Sequence, residues 1–403
     1  MNNHHAGRGG GDDGVSRWLA SGAHCLEAPS RQGAECGWAG LDAMDAARRR
    51  RRLARTALVT VLVCMQGALV CQSASASSPG RSARTNGGIP ALVQPGEDLA
   101  AQRPGPALTW VDSIFIAGRV RGGGHSFGIL VHTLAFPNAN QRKLYVAVTD
   151  TTTGWYRNYS AIIPKAKYAW SMRGLHIAMP GLTWIGSARQ MEVKATTPWG
   201  SLQTQLTSTG PVLNYSGNGL IQLLGDPNYE YAFPTMRTVG TLTAEGVKRH
   251  VFGTSWLDRQ WGPLPLAERT MHWTWMNIAL STGDQLAVWD IGDKRSQYTW
   301  MTGMRRNGSY VVAAVRPLAP DSGRPWTSPV THKTYPTRWS VRIPTLKARL
   351  DVAVTGPRGQ EFADGHVEAT AAVTGTYDGR KVTGTTYVEE TGYWPTRRQR
   401  KRG

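Results

Sequence analysis

The sequence predicts an all-β protein built from two tandem antiparallel units, each a sandwich or barrel. Short runs rich in Val, Ile, Thr, Tyr and Trp recur between clusters of Gly, Asn, Asp and Pro, and no long stretch keeps a 3.6-residue apolar period. The roughly 290 residues that show this pattern suit two such units better than one. Expected strands in chain order include Ser113 to Val120, Ser126 to Phe136, Lys143 to Thr149, Trp273 to Leu280, Gln285 to Ile291, Tyr310 to Arg316, Arg338 to Ile343 and Arg349 to Thr355. The clearest hairpin joins His366–Tyr377 to Arg380–Glu389 through Asp378-Gly379, a dipeptide that suits a type I′ turn. The expected organisation is an N-terminal extension and export signal over 1–76, a disordered linker over 77–107, one unit over 108–240, a second over 241–395 and a basic tail over 396–403.

Composition removes several classes. Hydrophobic residues make up 40% of the 403 and charged residues 18%, and no run reaches the roughly 20 apolar residues of a membrane span. With 46 glycines and 23 prolines the chain is turn-rich, yet it shows neither a Gly-x-y period nor a heptad. Five arginines, Arg48 to Arg52, precede the largely apolar run Ala57–Val70 and the small residues Ala74-Ser75-Ala76. That order is a secretory signal, with cleavage expected after Ala76 and Met44 as the expected start. An exported or envelope protein is therefore expected, an uncleaved anchor being the alternative. All four cysteines, Cys25, Cys36, Cys64 and Cys71, fall before the cleavage point, so the mature chain has neither disulfides nor thiol chemistry. The mature charge is +16, from 37 Lys and Arg against 21 Asp and Glu. No nucleic-acid module accompanies it. Loose attraction of the basic tail, Arg397 to Arg402, to an anionic membrane surface is the expected use of the charge.

Three constellations could carry chemistry. Gly124-His125-Ser126-Phe127-Gly128 fits G-x-S-x-G, but a glycine turn leads straight into a strand where a nucleophile elbow needs a helix. A serine hydrolase is thus the weakest reading. The histidines show no H-E-x-x-H spacing, and His125 and His132, seven apart on a strand, face opposite ways. The strongest segment is GTSWLDRQWG at 253–262, followed by Trp273 and Trp275. If it is extended, Trp256, Asp258 and Gln260 share one face and Leu257, Arg259 and Trp261 the other. A carboxyl beside indoles in a closed cavity would keep its proton near neutrality and could serve as a general acid. Alternatively Asp258 and Arg259 form a turn or an ion pair and the tryptophans are core. Tyr229 and Tyr231, like Trp273 and Trp275, share a face of an expected strand, a lining suited to a large hydrocarbon-rich ligand or to packing between sheets.

At these residues the chain resembles the AttH/CrtC lipocalin-like superfamily, which includes carotenoid hydratase and secreted bacterial proteins of hydrolase type; fungal pericyclases that form decalin rings are also similar. The resemblance spans about 108–395 and rests on Tyr229 to Pro234, GTSWLDRQWG, Trp273/Trp275, Tyr335 to Trp339 leading to Pro344, and Glu390-Thr391-Gly392-Tyr393. It implies two lipocalin-like units with an apolar site between or within them, and an aspartate at the position of Asp258 that protonates a carbon–carbon double bond before water adds. Where the hydratases carry Tyr and a His-x-Trp pair, this chain has Trp256 and the pair Tyr229 and Tyr231.

The expected function is an exported enzyme that hydrates, isomerises or cyclises an apolar polyene, terpenoid or polyketide-like substrate. Asp258, Gln260 and Tyr231 are the expected catalytic residues, and Tyr229, Trp256, Arg259, Trp261, Trp273 and Trp275 the expected substrate-binding ones. No cofactor or metal is implied. The rival expectation is a non-catalytic carrier of a hydrophobic ligand.

Overall fold

The computed structural model describes residues 91–99, 102–107, 109–171, 174–264, 271–319 and 322–392. The expected signal, start, cleavage point and basic tail lie outside the described residues.

The first sheet holds β1 (Trp110–Gly122), β2 (His125–Phe136), β3 (Gln141–Asp150), β4 (Trp155–Pro164), β5 (Ala169–Trp170), β6 (Leu175–Met179), β7 (Leu182–Gly186), β8 (Gln190–Thr197), β9 (Gly200–Ser208), β10 (Leu213–Asn214), β11 (Leu220–Leu223), β12 (Asp226–Ala244) and β13 (Val247–Pro263). Its order is β4-β3-β2-β1-β13-β12-β9-β8-β7-β6-β5, with β10 and β11 paired to β12. The second sheet contains β14 (His272–Leu280), β15 (Gln285–Gly292), β16 (Gln297–Met304) and β17 (Tyr310–Ala314). After the short pair β18 (Trp326–Thr327) and β19 (Thr334–Tyr335), it is completed by β20 (Arg338–Ile343), β21 (Ala348–Val354), β22 (Val367–Tyr377) and β23 (Arg380–Gly392). Its order is β17-β16-β15-β14-β23-β22-β21-β20. The protein is thus nearly all-β, with two antiparallel half-barrel sheets of the tandem lipocalin-like kind. Asp378 and Gly379 both have positive φ, 48° and 75°, as a type I′ turn between β22 and β23 requires.

Two expected boundaries move. Residue 240 lies inside β12, which pairs along most of its length with β13 through the tight turn at Glu245-Gly246. That turn joins two strands of one sheet, and the change of sheet falls between Pro263 and His272. The expected linker is ordered from residue 91. A helical turn at Pro95–Asp98 follows, and Val93 and Leu99 are buried in the first sheet's core. Tyr231 Oη donates to Pro95 O (3.0 Å), which ties this segment to β12.

Side-chain alternation gives each sheet two apolar faces. One face of the first sheet turns inward over Ile114, Ile116, Leu144, Val146, Trp184 and Leu257. One face of the second covers Met276, Leu286, Val288, Trp339 and Leu350. The remaining faces meet in a third layer, where Phe115, Ala117, Leu130, Ala232 and Trp256 of the first sheet pack against Trp275, Ala287, Trp289 and Tyr387 of the second. Strand β15 shows the result most plainly, being buried at every position. The sheets come so close at Gly128 that a Cβ there would lie 2.2 Å from Thr370 Cγ2 and 2.6 Å from Tyr387 Oη. The last glycine of the G-x-S-x-G match is thus needed for packing. Ser126 itself starts β2 with a strand, not a helix, after it, and His125 Nδ1 faces Asp150 Oδ2 at 2.6 Å.

Inside the first half-barrel, fully buried Arg259 pairs with fully buried Asp112 at 2.5 Å and donates to the carbonyls of Ser113 and Gln260. Its guanidinium stacks on Trp170 and Trp261 at 4.9 and 5.0 Å. Removing one partner of a buried pair strands the other charge. Arg259→Met is therefore expected to lower unfolding free energy by about 3–5 kcal/mol in urea titrations. Adding Asp112→Asn should recover part of that loss; a double variant no more stable than the single would assign the cost to the backbone acceptors instead.

Candidate active site between the sheets

Strand β13 is extended, so Trp256, Asp258 and Gln260 do share one face, the one toward the second sheet. Opposite Asp258 stand Phe115 on β1 and Ala232 on β12, and the row continues through His132 on β2 to Tyr145 on β3. Across the layer, β14 presents Trp273 and Trp275, with Trp275 between Glu389 on β23 and Trp289 on β15.

The Asp258 carboxyl accepts from Tyr215 Oη, 3.1 and 3.2 Å from its two oxygens, and Tyr215 Oη in turn accepts from Trp275 Nε1 at 3.2 Å. Asp258 is almost wholly buried, and burial raises its pKa well above the carboxylate range, with the charge of Glu389 adding to the rise; Trp256 and Tyr215 pull it down less strongly. Glu230, on the same face of β12 as Ala232, is also raised well above the usual range, by burial first and by Asp258 second. Two neighbouring buried carboxyls therefore each favour the protonated form. Beside them, Gln260 Nε2 is buried without a hydrogen-bond partner among the described residues.

On the second sheet, His366 Nε2 lies 3.0 Å from Glu389 Oε1 and 3.3 Å from Glu368 Oε1, while Trp273 Nε1 donates to Glu389 Oε1 at 3.1 Å. His366, Glu368 and Glu389 place one potential metal-ligand atom each within 4.8 Å of one another. The carboxylates raise the His366 pKa to about 10 against the opposing effect of burial, so an imidazolium holds the centre of the group. Opposite, His132 is lowered to about 3 by burial, and its Nε2 meets Ser113 Oγ at 2.9 Å. An open groove of about 540 Å³ adjoins the layer, lined by Ser216, Ile221, Gln222, Trp300 and Val312 among others. Trp300 stacks on Trp289 with centroids 6.0 Å apart.

The structure thus brings together Asp258, Gln260, Trp256, Trp273 and Trp275. It separates Tyr229, Tyr231, Arg259 and Trp261. Register places Tyr231 opposite Arg259 and Tyr229 opposite Trp261, so all four face the interior of the first half-barrel, on the far side of the sheet from Asp258. Tyr231 is therefore no partner of Asp258. The sequence reading passed over Glu230, which lies between the two tyrosines, and Glu389, one residue before Glu390. Tyr215 carried no signal, since it comes from a 3₁₀ turn, Tyr215–Gly217, outside every expected strand. The alternative of an Asp258–Arg259 ion pair is not formed, because neighbours on a strand point to opposite faces.

Two half-barrel sheets that bury carboxyl groups in an aromatic layer define a class: nearly all-β proteins of tandem lipocalin-like units. The AttH-like family model matches residues 138–393, and the chain belongs to that family. It is 24% identical over 269 residues to kievitone hydratase of Fusarium solani subsp. phaseoli, covering 64% of this chain and 73% of that one. It is 28% identical over 159 residues to dehydratase asqC of Emericella nidulans, covering 37% and 44%. In fold it is similar to an AttH protein of Nitrosomonas europaea (TM-score 0.62, 22% identity, 78% of this chain and 98% of that one). Kievitone hydratase of Nectria haematococca is similar as well (TM-score 0.62, 17% identity, 74% and 96%).

The linkage sign follows from the direction of the shifts. A carboxyl raised on folding holds its proton in the native state at pH values where the unfolded chain has lost it, so stability falls as pH rises above the ordinary value near 4. Asp258→Asn is expected to keep or raise the melting temperature at pH 7 and to flatten the loss of stability as pH rises above about 4 in urea titrations. A lower melting temperature with the pH slope unchanged would make Asp258 a structural anchor.

Proposed function

We propose that this protein is a hydratase or dehydratase acting on an apolar, alkene-bearing small molecule, with Asp258 as the general acid. The observation that carries the reading is the Asp258 carboxyl, buried among indoles, oriented by Tyr215 and biased toward its protonated form. Hydration of an alkene needs a neutral acid that can deliver a proton to carbon, away from bulk water that would level its strength. In the hydration direction Asp258 would protonate one alkene carbon and water would add to the other; dehydration is the reverse. The π faces of Trp256, Trp275 and Trp289 would stabilise the developing cation. Gln260, with an unpaired amide group on the same face, would orient the substrate or the water. The hydratase and dehydratase among the relatives support this reaction type, and the aromatic lining supports a hydrophobic substrate. Delivery to the cell envelope by the N-terminal signal completes the proposal.

Kievitone is a direct first probe, given the named relative. Incubation in ¹⁸O-water is expected to yield a product heavier by one labelled water by mass spectrometry, and Asp258→Asn to lower the rate by about 100-fold or more. An Asp258→Asn protein that folds and turns over at the wild-type rate would overturn the assignment.

A further inference from the structure

We propose that Glu389, facing the layer from the second sheet, is the water-activating base of the site that holds Asp258, and that His366 is its positioning residue. This rests on the hydratase reading above and adds the second half of its proton balance. Glu389 stands opposite Trp275 in the β14–β23 register, and Trp275 donates to the Tyr215 hydroxyl that holds Asp258. Phe115, opposite Asp258 on its own sheet, meets Trp275 edge to face at 5.4 Å and His132 at 5.1 Å. Trp275 thus links the two sides of the layer: it stands beside Glu389 in the register and donates to the hydroxyl that holds Asp258. A substrate admitted beside Trp275 would meet the acid from one sheet and the base from the other.

The surroundings divide the labour. Glu389 receives N–H groups from both Trp273 and His366, and its side chain keeps 14% exposure, whereas Glu368 has none. That residual access is what a group handling water needs. The facing titratable groups are His366 and Glu368 on the β22 side, His132 on β2, Tyr145 on β3, Asp258 on β13 and Glu230 on β12. His366 Nε2 at 3.0 Å and Trp273 Nε1 at 3.1 Å both meet Glu389 Oε1, and two such N–H groups on one oxygen favour its carboxylate form. Groups with pKa values driven apart in one site are the usual basis for separate acid and base roles. In hydration, the Asp258 O–H bond breaks as C–H forms at one alkene carbon. The water oxygen bonds the other carbon as one of its O–H bonds breaks, and that proton passes to Glu389. Asp258 ends as carboxylate and Glu389 as acid, one water has been added, and exchange with solvent restores both.

The test compares the wild type with Glu389→Gln, Glu389→Asp, His366→Gln and Asp258→Asn, each checked for fold by circular dichroism, across pH with kievitone. Expected results are a loss of about 100-fold or more in kcat for Glu389→Gln, with disappearance of the low-pH inflection, and partial rescue by Glu389→Asp. His366→Gln should move that inflection to higher pH, since it removes the cation that favours the carboxylate. Glu389→Gln within about threefold of wild type, beside an inactive Asp258→Asn, would overturn this proposal and leave the general-acid reading standing. Activity in Asp258→Asn would overturn the reading itself. If kievitone is not turned over, infrared difference spectra at pH 7 decide: Glu389→Gln must remove an ionised carboxylate band and Asp258→Asn a protonated carboxyl band, and the reverse pattern rejects the proposal.

Discussion

The architecture depends on one strand serving two cores. Strand β13 sends Leu257, Arg259 and Trp261 into the first half-barrel and Trp256, Asp258 and Gln260 into the layer between the sheets, because successive side chains of an extended chain point to opposite faces. Each set has a partner surface that holds its strand in register. The ion pair of Arg259 with Asp112 anchors one side. The packing of Trp256 and Phe115 against Trp275 anchors the other. A slip of one residue would exchange the faces, placing Arg259 in the aromatic layer and Asp258 in the barrel interior.

The same alternation places carboxyl groups of one layer in unlike surroundings. Asp258 and Glu230 are buried together with a hydroxyl and indoles for company, so loss of a proton creates a charge with no cation beside it among the described residues. Glu389 is buried as well, but an imidazolium and an indole N–H meet it. Burial is common to all three, and the neighbouring cation decides between them. Separate sheets supply the two environments, Asp258 on the first and His366 on the second.

Much of this was legible in the chain. Strand periodicity located β1, β2, β14, β15, β20 and β21 to within a few residues, and the Asp378-Gly379 turn placed the last hairpin. Parity within 253–262 separated the face of Asp258 from that of Arg259 without a structure. Tyr229 and Tyr231 show where such reasoning stops. Their parity was right, but whether they meet Asp258 depends on which β12 residue stands opposite it, and Ala232 does. A period of two cannot report an offset between two strands.

The sequence by itself determined the all-β class, the tandem arrangement and the acid beside indoles, since each follows from local alternation, turn chemistry and residue type. Tertiary structure alone decided that β12 and β13 belong to the first sheet, that Tyr215 caps Asp258, and that Glu389 with His366 faces it from the second sheet. Tyr215 and Asp258 are 43 residues apart, and Trp273 and Glu389 are 116 apart. Contacts at such separations are set by strand register and by the packing of one sheet on another, which no short window of sequence contains.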